Sequence, residues 1–132
     1  MRQWLAGADN DIEAGEAIVG RVMRSYEAAS FHAQQAAEKA LKALLIRHQV
    51  EFPKTHDLGE LLRLAEPMAA GIPQELGDAQ RLNRHAVDTR YPTSGPPVDR
   101  DQARSDLTLG AQVRDYARGL LQPYLDAGRP AS

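Results

Sequence analysis

The residues with chemistry to offer lie in three short stretches. The first, FHAQQAAEKALKALL (Phe31–Leu45), sets His32, Gln34, Gln35, Glu38, Lys39 and Lys42 among alanines and leucines. On a helix, Gln34, Glu38, Leu41, Leu45 and His48 share one face, and Glu38 reaches Lys42 at i, i+4. Composition alone favours a solvated edge flanking a core stripe, because charged helix faces usually lie in water. The second stretch is PKTHDL. His56 beside Asp57 suggests a charge-assisted pair or a general base, yet adjacent helical positions do not face each other. Capping accounts for Thr55 as N-cap and for Asp57 in the first turn. His56 is left over, and a bond to a neighbouring backbone group is its favoured role. The third stretch, RHAVDTRYPT, ends a helix on Arg90 and Tyr91 before a proline-rich loop. An Arg fork suits phosphate or carboxylate and a Tyr ring suits a base. A helix C-terminus also favours Arg for structural reasons, so the two roles balance.

Other chemistries are absent from the sequence. There is no cysteine, hence no thiol nucleophile, disulfide or cysteine-rich zinc site. No phosphate-binding glycine loop, dinucleotide fingerprint or H-E-x-x-H occurs, and no serine lies in an activating context. His32, His48, His56 and His85 are never paired at i, i+3 or i, i+4, so no metal site and no cofactor is expected. A net charge of −2 gives no global attraction to nucleic acid. No apolar run reaches membrane-spanning length, and MRQWLAGADNDIEAGEA turns acidic too early for a signal peptide. The expectation is a cytoplasmic protein.

The elements that must position these residues are helical. Nothing alternates apolar and polar at useful length, and β-branched residues are sparse. Trp4, Ala8, Ile12, Ile18, Val19 and Val22 predict a first helix near residues 2–24, weakened by Gly7, Gly15 and Gly20. Tyr26 to Val50 forms a second, with Ala33, Ala37, Ala40, Leu41, Leu44 and Leu45 inside. A short third helix carries Leu58, Leu61, Leu62 and Ala65. A fourth begins with Pro73 as its first helical residue and stops at Tyr91-Pro92. Asp99 with Gln102 as its N3 partner opens a last helix from Arg100 to Leu121, with Ala103, Leu107, Ala111, Val113, Ala117 and Leu120 inward. The expected fold is all-α, an up-and-down bundle of about five helices, with residues 1–125 as one domain and 126–132 as a tail.

Taken in order, FHAQQAAEKALKALL, PKTHDLGELL and a late TRYP before a long last helix resemble the HEPN domain family, over roughly Trp4 to Leu121. The resemblance implies a small helical bundle that forms a homodimer, sits beside a minimal nucleotidyltransferase and binds a nucleotide. Combined with residue chemistry, it suggests a ligand site of Lys39, Lys42, His56, Arg90 and Tyr91. In it, Lys and Arg meet phosphate, Tyr91 stacks on a base and His56 donates a hydrogen bond. RNases and toxins of the wider superfamily carry Arg-x4-6-His near the start of the last helix. Here the positions that would hold that Arg are 25–27, 41–43, 49–51 and 78–80, and none is Arg. The departure speaks against metal-independent RNase activity. An RNase toxin of a toxin–antitoxin pair with an atypical site, and a purely structural partner subunit, stand as the alternatives.

Overall fold

A computed structural model of the chain describes residues 1–68, 74–85 and 97–127. Three long helices form its frame: α1 (Arg2–Val19), α2 (Glu27–Arg47) and α5 (Arg100–Ala127). Between α2 and α5 come α3 (Leu58–Ala65), a 3-10 turn at Glu66–Met68, α4 (Gln74–Gly77) and a 3-10 segment at Asp78–His85. Among the described residues there is no strand, and no helix is long and apolar enough to cross a membrane.

The helix α1 buries Leu5, Ala8, Asp11, Ile12, Gly15 and Val19, a stripe at three- and four-residue steps. It stops at Val19, short of the expected end near residue 24. Val22, expected on the inner face, is 94% exposed. The turn is fixed instead by Tyr26, whose hydroxyl accepts from the Met23 N–H at 3.1 Å and donates to the Arg21 carbonyl at 2.7 Å.

The core lies around α2, which buries residues on several sides of its cylinder, as a helix at the centre of a bundle must. Its partner α5 runs parallel to it. Ser30 meets Asp106 near one end, and Arg47 stacks on Tyr124 at 3.8 Å near the other. Between these points Gly110 lies directly on the backbone of Ala33, where a Cβ would come within 2.7 Å of the Ala33 carbonyl oxygen. At the end of α2 the Gln49 N–H bonds the Ile46 carbonyl, and the Val50 N–H bonds the Leu45 carbonyl. This is a Schellman closure, and Gln49 takes its left-handed position with φ 56°. Glycine holds that conformation without the Cβ conflict. Gln49→Gly is therefore expected to stabilise the fold by up to about 1 kcal/mol, read as a rise in thermal midpoint.

The cap of α3 differs from expectation. Asp57, not Thr55, is the N-cap, and its carboxylate accepts from the Gly59 N–H at 2.9 Å. Thr55 stands two residues earlier, its hydroxyl accepting the Asp57 N–H at 3.0 Å. The fourth element is largely a 3-10 segment because Leu76, Ala79 and Leu82, all buried, recur every three residues. The expected start at Pro73 and stop at Tyr91-Pro92 lie outside the described residues.

Helix α5 begins as expected, with the Asp99 carboxylate accepting the Gln102 N–H at 2.7 Å. The reciprocal half of that cap does not form, since the Gln102 side chain donates to Asp106 instead. The helix continues past Leu121 to Ala127 with Pro123 inside it. Buried Leu121 and Leu125 extend the inner stripe that far, and the Arg2 guanidinium holds the end by donating to the Leu125 carbonyl at 2.6 Å.

Candidate functional site

The polar face of α2 is not a solvated edge. Gln34, Glu38 and Lys42 are all buried. Glu38 is the hub. It accepts from Gln34 Nε2 at 3.2 Å, from Lys42 Nζ at 3.2 Å and from His56 Nδ1 at 2.8 Å. The i, i+4 pair seen in the sequence is real, yet it lies inside, with side-chain exposures of 9% for Lys42 and 5% for Glu38. The Lys42 ammonium also lies 5.7 Å from the ring centres of Trp4 and Phe52, a further contact for a cation withdrawn from water. Gln35 extends the network by donating to Gln34 Oε1 at 2.6 Å.

The loop before α3 delivers His56 to this hub. Gln34 Nε2 also donates to the His56 carbonyl, so backbone and ring are both tied to α2. His56 therefore departs from its expected role: its Nδ1 serves a side chain eighteen residues earlier rather than a neighbouring backbone group. An ionised carboxylate only accepts, so Nδ1 carries the proton, and Nε2 has no hydrogen-bond partner among the described residues. The His56 side chain is 65% exposed. A buried carboxylate orienting an exposed imidazole is an arrangement suited to accepting a hydrogen bond, or a proton, from a group arriving from solvent.

Lys39 belongs to a second hub. Asp11 of α1, itself buried, takes Lys39 Nζ at 2.7 Å and His32 Nδ1 at 2.9 Å. Each of the two carboxylates is thus held by one lysine and one histidine. A third buried carboxylate, Asp106 of α5, accepts from Ser30 Oγ at 2.8 Å and Gln102 Nε2 at 2.9 Å.

Of the five residues expected at a ligand site, the fold brings Lys42 and His56 together on Glu38. It gives Lys39 to Asp11. Arg90 and Tyr91 lie outside the described residues. Asp11 and Asp106 were not singled out from the sequence, although a signal existed. Asp11 stands on the stripe of Ala8 and Gly15, and Asp106 on that of Ala103 and Gly110. A carboxylate at an inward helical position requires a buried partner. Among the described residues no group of three or more His, Asp or Glu side chains could hold a metal ion.

A model of the HEPN domain family matches residues 1–120, and the chain belongs to that family. The crystal structure of an archaeal HEPN homologue has the same fold, with a TM-score of 0.70 and 23% sequence identity. The match covers 89% of this chain and 94% of the archaeal one. No curated protein matches.

Proposed function

We propose that this HEPN-domain protein is a non-catalytic binding module. In this role it is a cytoplasmic homodimer acting as a nucleotide-binding or regulatory partner of a minimal nucleotidyltransferase. Family membership over residues 1–120 carries the proposal. The lack of Arg-x4-6-His supports a binding role over hydrolysis of RNA. In the proposed site His56 and Lys39, whose side chains are 65% and 31% exposed, make the contacts from the described fold. Lys42 holds Glu38 in place. Arg90 supplies a fork for phosphate and Tyr91 a ring for the base.

Thermal unfolding titrated with ATP, GTP and inorganic phosphate tests this. A nucleotide at a hundred times its dissociation constant adds about 2.7 kcal/mol, a rise of several degrees in a domain of this size. The expected result is a saturable shift with one nucleotide, diminished in His56→Ala and Arg90→Ala. Undiminished affinity in Arg90→Ala would remove that residue from the site. No shift at millimolar nucleotide would leave the structural partner subunit. One observation favours that second role: both lysines already neutralise buried carboxylates.

A further inference from the structure

The outer face of α5 carries a pattern that the preceding proposal does not use. Arg104, Thr108, Ala111, Gln112 and Asp115 form one stripe along the helix. All are exposed except half-buried Ala111. The stripe borders two concavities. A groove of about 530 Å³ between α1 and α5 is lined by Glu16, Val19, Leu107 and Ala111 together with Arg104 and Asp115. A second, of about 420 Å³, lies on the other flank beside Asp78, Arg81 and Ser105. Thr108 and Gln112 line both, so they form a ridge with a groove on either side.

The charges on this stripe are self-complementary. Arg104 near one end and Asp115 near the other are separated by about 16 Å at 1.5 Å per residue. The midpoint between them falls between Thr108 and Ala111, both small. A second copy laid antiparallel across the stripe brings each Arg104 to the other copy's Asp115. Its Thr108–Gln112 ridge then enters the groove between α1 and α5. Arg104 and Glu16 make no ion pair among the described residues. Among the described residues the ion-pair partner of Asp115 is its neighbour Arg114, at 3.0 Å, and the Asp115 side chain is 64% exposed.

We infer that this face of α5 is the surface on which two copies of the chain associate, antiparallel, about a two-fold axis beside Thr108 and Ala111. The inference rests on the homodimer proposed above and names its interface. An isologous contact of this kind repeats every pairing twice, so reversing one charge replaces two attractions by two repulsions.

Sedimentation equilibrium of the full chain tests it, comparing wild type with Arg104→Asp, Asp115→Arg and the double variant. Circular dichroism checks that these surface changes leave the fold intact. Each single reversal should raise the dimer dissociation constant by about tenfold or more, and the double reversal should return it to within about threefold of wild type. A wild-type dimer indifferent to both single reversals overturns the interface and leaves the homodimer standing. A wild-type chain that stays monomeric at about 100 μM, a concentration that reveals even weak association, overturns both.

Discussion

Glu38→Ala is expected to lower stability by about 3–5 kcal/mol, because it leaves the Lys42 ammonium buried without a counter-charge. Lys42 is 9% exposed at its side chain, so it has little route to water. Gln34 Nε2 keeps the His56 carbonyl as its acceptor and the exposed His56 ring can turn to water, so the stranded ammonium carries most of the cost. The loss is a large fraction of the 5–15 kcal/mol typical of a whole domain. Chemical denaturation measures it. The partner experiment is Glu38→Leu with Lys42→Met. Removing both charges for apolar groups of similar volume should recover most of the loss, since a buried ion pair is often no better than an apolar pair. If the double variant is as unstable as Glu38→Ala, the cost lies in packing around α2 and not in the stranded ammonium.

The second large effect comes from a single methyl group. Gly110→Ala sets a Cβ 2.7 Å from the Ala33 carbonyl oxygen and 3.2 Å from its Cα. Both are backbone atoms of a central helix and cannot rotate away, so α2 and α5 must separate. Overpacking of this kind costs about 1–3 kcal/mol, against which alanine returns at most about 1 kcal/mol of helix propensity. Gly119→Ala in the same helix is the control. Nothing lies within 4 Å of its would-be Cβ, so only the propensity gain remains, up to about 1 kcal/mol. Thermal unfolding of the two variants should move in opposite directions. Equal shifts would mean that α2 and α5 have slack at their crossing.

The fold class was open to sequence reasoning because helical periodicity is local. The stripe of Leu58, Leu61, Leu62 and Ala65 and the cap at Asp99 needed no knowledge of the rest of the chain. What was hidden depends on distant partners. Val22 continues the pattern of Ile18 and Val19, yet the helix ends before it. The turn there is decided by Tyr26 and by Arg100, whose guanidinium donates to the Arg21 carbonyl at 2.8 Å. Glu38 looked like one end of a surface pair because its i, i+4 partner is visible in the sequence. Its distant partner, His56, comes from the loop before α3, which no spacing within α2 reveals. Asp11 illustrates the same point in reverse. Its position on an inward stripe was legible, while its partners His32 and Lys39 are 21 and 28 residues away. The family resemblance reached further than spacing alone, since it joined three separate stretches into one fold.

Pro123 has a bearing on how the molecule opens. A proline has no N–H to give the carbonyl four residues back, which here belongs to Gly119. The ladder of α5 is thus broken one turn before its end, at the residue with the greatest backbone freedom. Beyond that break the helix is held by Leu125, by the Arg2 bond to its carbonyl and by Tyr124 against Arg47 and His48. The last turn of α5 is therefore a separable unit that can detach while the α2–α5 core stays closed. Amide hydrogen exchange would show it as a segment after Gly119 exchanging faster than the amides around Gly110. Since Arg2 is one of its few anchors, loosening the first turn of α1 should release the end of α5 with it.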